Sequence, residues 1–301
     1  MNKVKGMIII MFASGIFGLV PLFAKVGMEN GMNTYTLLLL RCFFATILLL
    51  LYMKIKGIDY KVDKKFLVEL GVVSFLCYGL MMYTLVSSYK YIPTGIATTL
   101  HFVYPAAVLI GSSLFYREKF TIEKAATVCA AIFGIYLLSA DSGGFHIELK
   151  GILLALASGI FYAIYILKAS HGRIREMNSF VLVYYLSGFN IFYFIIFSAV
   201  TGNLNFDITV TGYVDVILLS FVSILAMSLF KTGLNYVSSC SASILSTFEP
   251  LTSIVIGVVA FGEPFTGRSI AGTIIIIGAV VYISFAERNI SSDVDRVEEM
   301  Q

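Results

Sequence analysis

Two stretches of this chain align with each other without a gap, and that match limits the fold more than any other feature. YIPTGIATTLHFVYPAAVLIGSSLFYRE, Tyr91 to Glu118, and YVSSCSASILSTFEPLTSIVIGVVAFGE, Tyr236 to Glu263, share Tyr91/Tyr236, Ala97/Ala242, Leu100/Leu245, Pro105/Pro250 and Glu118/Glu263. The offset is 145 residues, and other segments return at nearly the same distance: Lys5-Gly6 as Lys150-Gly151, and Met32-Asn33 as Met177-Asn178. Ala13-Ser-Gly-Ile-Phe17 returns letter for letter from Ala157 to Phe161. The chain therefore reads as a duplication. One repeat occupies residues 1–145, a second 146–286, and a polar, acidic tail, expected to be disordered, residues 287–301.

The repeats are membrane-spanning. Hydrophobic residues make up 58% of the chain and charged residues 13%, and the charges sit between long apolar runs, which excludes a soluble core. Hydropathy predicts ten helical spans: 7–24, 34–53, 67–89, 94–116, 122–140, 151–168, 179–200, 212–234, 240–261 and 267–286. The basic start before the first run is expected to be retained as a helix, because the same run opens the second repeat. Lys and Arg divide 16 to 4 between the two sets of connections, with Arg41 inside span 2, which places both termini in the cytoplasm. Five spans per repeat is an odd number, so the second copy enters the membrane from the other side. Inverted repeats of this kind characterise secondary transporters with a site between the halves.

Several function classes are excluded. A net charge of +3 without a Lys/Arg block implies no nucleic-acid partner. Cys42, Cys77, Cys129 and Cys240 lack metal-ligand spacing and read as buried reduced thiols. No zinc-protease, nucleophile-elbow or P-loop motif is present, so neither an enzyme nor a cofactor is expected.

The candidate site lies on spans 4 and 9. Ala97, His101, Tyr104 and Val108 share one helical face, and their counterparts are Ala242, Ser246, Glu249 and Ser253. Glu249, near the centre of its span, reads as a substrate-amine ligand or proton carrier, or else as a structural cap beside Pro250. His101 is a candidate for proton coupling, or a buried neutral group. Arg41 reads as a carboxylate ligand or as a side chain snorkelling outward. Tyr78, Tyr83 and Tyr162 are candidate cavity walls, as are Tyr165, Tyr184 and Tyr185. Asn235 lies with Lys231 near the cytoplasmic end of span 8, where Lys231 is expected to reach water. Ser14-x-x-x-Gly18 and the series Ala126, Ala130, Gly134 read as helix-packing surfaces. Glu118 and Glu263 close spans 4 and 9, with Thr121 and Thr266 as N-caps of the next helices.

These residues resemble the drug/metabolite transporter superfamily, specifically ten-helix proteins built from two EamA-type domains. The resemblance rests on Tyr83-Thr84 to Tyr104-Pro105 with Arg117-Glu118, and on Asn235-Tyr236, Glu249-Pro250 and Gly262-Glu263, followed by Gly272 and Gly278. It implies a carrier, commonly an exporter, of a small amino-acid-like metabolite in the cell membrane, with protons as a candidate coupling ion. Tyr104 stands where the second copy has Glu249, and Arg117 where it has Gly262, so the site is not symmetric. The alternative is a non-transporting membrane protein, a sensor or enzyme, on the same bundle.

Overall fold

A computed structural model describes residues 2–92, 94–117, 121–139, 148–201, 204–249, 251–252, 255, 267–268, 270–279 and 281–282. All its regular structure is helical among the described residues. The first repeat contributes α1 (Asn2–Phe17), α2 (Val20–Glu29), α3 (Thr34–Lys56), α4 (Lys64–Val73), a π-helical segment (Ser74–Gly79), α5 (Leu80–Ser88), α6 (Thr94–His101), α7 (Tyr104–Tyr116) and α8 (Ile122–Ser139). The second contributes α9 (Leu149–Ser170), α10 (Gly172–Glu176), α11 (Ser179–Thr201), α12 (Val210–Gly233) and α13 (Ser239–Leu245), and a last helix, α14, covers Ile270–Ala279. Among the described residues, six helical stretches are long and apolar enough to cross a membrane, namely Lys3–Glu29, Thr34–Lys56, Lys64–Ser88, Leu149–Ser170, Ser179–Ala199 and Val210–Gly233. Large apolar side chains such as Phe12, Leu114, Phe115 and Phe192 point outward, as lipid contact requires. The tail from Glu287, with Glu118, Glu263 and Thr266, lies outside the described residues.

Repeated letters turn out to be repeated structural devices. Asn33 caps α3 by accepting from Thr36 N at 3.0 Å, and its counterpart Asn178 accepts from Phe180 N at 2.9 Å at the start of α11. The Lys-Gly pair marks a close crossing. A Cβ on Gly6 would strike Tyr236, and a Cβ on Gly151 would come within 2.8 Å of Tyr91 Cβ. Gly6 and Gly151 are counterparts, and so are Tyr91 and Tyr236, so each copy lays its first helix on the other copy's tyrosine. Helix pairing obeys the same exchange. The duplication swaps the pair α1–α12 with the pair α5–α9, and maps the pair α3–α11 onto itself. Thr121 accepts from Lys124 N at 3.3 Å as an N-cap. Arg117, at φ 56°, ends α7 in the left-handed region, where the second copy carries a glycine.

Four expectations need correction. Spans 1, 3 and 4 are not uniform α-helices. Pro21 and Pro105 stand at the starts of α2 and α7 and end the preceding helices at Phe17 and His101. The middle of span 3 is π-helical because Asn190 of α11 inserts there. Its Nδ2 donates to Ser74 O at 3.2 Å, Ser74 Oγ at 2.8 Å and Leu186 O at 2.8 Å, and its Oδ1 occupies the place a Gly79 side chain would need. Arg41 does not snorkel; it is buried within the bundle. Lys231 does not reach water either. It is fully buried, with Nζ donating to Arg175 O at 2.8 Å and Asn235 Oδ1 at 2.9 Å. Of the four thiols, Cys129 is exposed on the outside of the bundle while the other three are buried.

Candidate functional site

The site forms where two helices are interrupted, the first of them by Pro105. Pro105 has no N–H, so α6 stops at His101, the chain turns through Phe102 and Val103, and α7 begins at Tyr104. The His101 carbonyl released by this break faces Gly159 of α9, where any side chain would collide with it. In the second copy α13 stops at Leu245, Ser246 and Thr247 turn, and helix resumes at Phe248-Glu249 ahead of Pro250. Broken helices at corresponding positions of two repeats are the arrangement that exposes polar groups to a ligand inside a membrane.

Two hydrogen-bond chains run from these breaks. Tyr104 Oη lies 2.5 Å from Ser246 Oγ, and Ser246 Oγ donates to Ser243 O at 2.8 Å. A serine has one proton, so Tyr104 is the donor in the first of these bonds. His101 Nδ1 lies 2.8 Å from Ser158 Oγ, which donates to Ala155 O at 2.6 Å. The same reasoning puts the proton on Nδ1 and leaves Nε2 of a neutral His101 as an acceptor. The imidazole is wedged among aromatic rings, with centroids 5.4 Å from Tyr104, 5.4 Å from Tyr162 and 6.0 Å from Phe102.

A central cavity opens beside these chains, with about 80 Å³ available to the centres of water molecules. That is room for several waters or a small solute. Both copies line it. Its polar groups are Arg41, Tyr78, Tyr89, Thr98, His101, Tyr162 and Glu249, set in walls of Leu37, Leu38, Met81, Met82, Leu85, Val86, Leu219 and Met227. The Arg41 guanidinium is within electrostatic reach of Tyr78 and Tyr89. The Glu249 carboxyl is within electrostatic reach of Tyr89, Tyr104 and Tyr162. Among the described residues, the cavity thus holds one guanidinium and one carboxyl in apolar surroundings. A guanidinium there can bind a carboxylate through paired N–H donors, and a carboxyl can bind an ammonium.

The candidates divide accordingly. Glu249, His101, Arg41, Tyr78 and Tyr162 meet in the cavity, with Tyr104 and Ser246 bonded next to it. Tyr83 does not join them; its hydroxyl pairs with Tyr35 at 3.0 Å, and it lines a separate pocket of about 80 Å³ with Phe75, Asn190 and Tyr193. Asn235 is spent on Lys231 at one end of the bundle. Tyr165 stacks on Tyr162 behind the cavity, and Tyr185 donates to Tyr60 O at 2.7 Å. Sequence reading missed Ser158, Tyr89, Thr98, Met81 and Met82. Ser158 had a signal: it lies inside the five-residue segment repeated letter for letter, where a packing surface and a hydrogen-bond partner look alike.

The profile of the EamA-like transporter family matches the chain twice, over residues 4–140 and 149–285. The uncharacterized transporter YwfM of Bacillus subtilis is 28% identical over 234 residues, covering 74% of each chain. The uncharacterized inner membrane transporter YicL of Salmonella typhimurium is 24% identical over 296 residues, 94% of this chain and 96% of its own length. Among solved structures, one crystal structure superposes with a TM-score of 0.79 over 93% of this chain and 98% of its own, at 15% identity, a likeness of fold.

Proposed function

We infer, since this chain belongs to the EamA-like transporter family, that it is a secondary carrier exporting a zwitterionic, amino-acid-like metabolite with an apolar side chain. Ten helices in two inverted repeats, at 1–145 and 146–286, rock alternately around the central cavity, with both termini in the cytoplasm. The observation that carries the substrate class is the pairing of Arg41 and Glu249 in one apolar cavity. Arg41 takes the carboxylate, Glu249 the ammonium, and Met81, Met82 and Met227 the side chain, methionine adapting its shape to different solutes. His101 and Glu249 carry the coupling proton, Tyr162 and Tyr78 orient the solute, and Tyr104 with Ser246 closes the site between the copies.

Proteoliposomes with the purified chain test this directly. Uptake or release of radiolabelled leucine, methionine or phenylalanine should exceed a protein-free control. Arg41→Gln and Glu249→Gln should each lower that flux at least tenfold while the protein still inserts and purifies as wild type. Wild-type flux with unchanged pH dependence in Glu249→Gln would return Glu249 to the role of a structural cap.

A further inference from the structure

The register of the duplication pairs two sets of residues that now have different partners. Tyr104 corresponds to Glu249, and His101 corresponds to Ser246. The bond from Tyr104 to Ser246 therefore has a mirror in the duplication, from Glu249 to His101. We propose that Glu249 and His101 form this mirror bond when the carrier faces the opposite side, while Tyr104 and Ser246 part.

Three observations support the exchange. The first is that the register is a property of the folded chain and not only of the letters. Gly6 on Tyr236 and Gly151 on Tyr91 are one contact made twice, and the helix pairs exchange in the same way. The second is that the two mirror pairs are in different states. Tyr104 and Ser246 are closed on each other and buried at 0% and 1% exposure, whereas Glu249 and His101 both border the open cavity. An inverted-repeat carrier changes its facing when each copy takes up the other's conformation, so the closed pair and the open pair change places.

The third is chemical fit. In the closed pair a tyrosine hydroxyl donates to Ser246 Oγ. In the mirror pair the donor position holds the Glu249 carboxyl and the acceptor position holds His101, whose Nδ1–H is already committed to Ser158. Its Nε2 accepts, so a protonated Glu249 reproduces the bond. An ionised Glu249 facing a bare Nε2 would set acceptor against acceptor. One proton must enter the pair for it to close, held between the carboxyl and the ring, and it leaves when the pair opens. Among the described residues, the other charged or titratable groups around the pair are Arg41 on α3, Tyr78 on the π-helical segment, Tyr89 after α5, Tyr104 on α7 and Tyr162 on α9. The tyrosines stay neutral in the range where carboxyl and imidazole groups titrate. The Tyr104–Ser246 pair has no group that titrates in that range. One facing of the carrier is therefore proton-dependent and the other is not.

This inference rests on the carrier reading, and its test separates the two. In full-length protein with the native cysteines replaced by serine, Tyr104→Cys/Ser246→Cys and His101→Cys/Glu249→Cys are each treated with a short bifunctional methanethiosulfonate in proteoliposomes. Both pairs should cross-link, and the two products should leave opposite sides of the bundle open to a membrane-impermeant thiol label at added reporter sites. Failure of the second pair alone to cross-link, or both products open on the same side, would overturn the proposal. A second measurement keeps both partners intact. With reporter labelling only, lowering pH should shift the facing equilibrium toward the second product's state by up to about tenfold per pH unit, the limit for one proton. Glu249→Gln, whose amide donates to Nε2 at any pH, should hold the low-pH distribution throughout. A pH shift undiminished in that variant also overturns the proposal. If the pairs exchange but no solute crosses the membrane, the pairing stands and the carrier reading fails.

Discussion

The seam between the two copies is joined at its two ends by different chemistry. At the end bearing residues 57–63 and 171–178, Arg173 pairs with Asp63 and lies 4.3 Å over the Phe66 ring, and Tyr185 donates to Tyr60 O at 2.7 Å. Lys231 pins α10 to α12 beneath them. At the other end Asn30 is the hub. Its Nδ2 donates to Asp215 Oδ2 at 3.1 Å and Val26 O at 2.9 Å, while its Oδ1 accepts from Thr209 at 2.9 Å and Thr211 at 3.1 Å. Asn205 adds a bond to Gly31 O at 3.2 Å and one from its N–H to Thr36 at 3.1 Å. Duplication copied the backbone and left each end free to acquire its own locks. One end is tied by a solvated ion pair and the other by a saturated amide–hydroxyl network, so the two should respond differently to salt, pH and substitution.

The largest expected effect is at Lys231. Replacing it by methionine leaves the Arg175 carbonyl and Asn235 Oδ1 without their charged donor inside the bundle, and should cost about 3 kcal/mol. Thermal unfolding in detergent would measure it. A loss under about 1 kcal/mol would mean that α10 is not anchored there. Gly6→Ala and Gly151→Ala come next, each expected to cost about 1–3 kcal/mol from overpacking against a tyrosine. Similar losses would sharpen the mirror relation between the ends; a loss at only one would break it.

Asn30→Asp should cost about 1–2 kcal/mol, because the donor to Asp215 is removed and a second carboxylate faces the first. Adding Asp215→Asn should restore most of it, an outcome a double-mutant cycle in the same assay would reveal. The smallest effect belongs to Asp63→Asn, where both partners are half exposed and solvent screens the pair. Stability should hardly move, but high salt should no longer loosen this end relative to the other, as cysteine labelling beside each lock would report. Hydrogen bonding to Arg173 holds the Asp63 carboxyl below the ordinary carboxylate range. Its contribution is present at neutral pH, and is lost as pH falls through that lowered value.

Within the site, legibility depended on what kind of fact was sought. Positions along the chain could be read: Glu249 and His101 were found from the repeat alone, and the prolines that break spans 1 and 4 are visible as letters. Orientation could not. Arg41 can extend to either end of a span by the same sequence, and only tertiary packing, with α3 held against α12 where Ser220 donates to Arg41 O at 3.0 Å, sets it beside Tyr78 at the cavity. Asn190 reads as one polar residue in an apolar run, yet it reshapes a helix more than a hundred positions away. Tyr83 reads as a cavity-wall tyrosine within its span, and Asn235 as a polar group beside Lys231 near the end of span 8. Their hydrogen bonds are made elsewhere.

The sequence by itself determined the membrane class, the duplication and its register, the helix starts at Asn33 and Asn178, and the excess of positive charge at one set of connections. Each of these depends on residue type and spacing along the chain, which hydropathy, capping and backbone sterics convert directly into structure. Tertiary structure alone decided which side of each helix faces the cavity, and so which of the many tyrosines belong to it. The physical reason is the solvent. In water a helix shows its buried side by contrast with a polar one, whereas in lipid both sides are apolar and the contrast disappears. What orients such helices is close crossing at Gly6, Gly151 and Gly159 and the pairing of buried polar groups such as Tyr104 with Ser246. Those contacts join residues from different helices, and each of them joins the two copies.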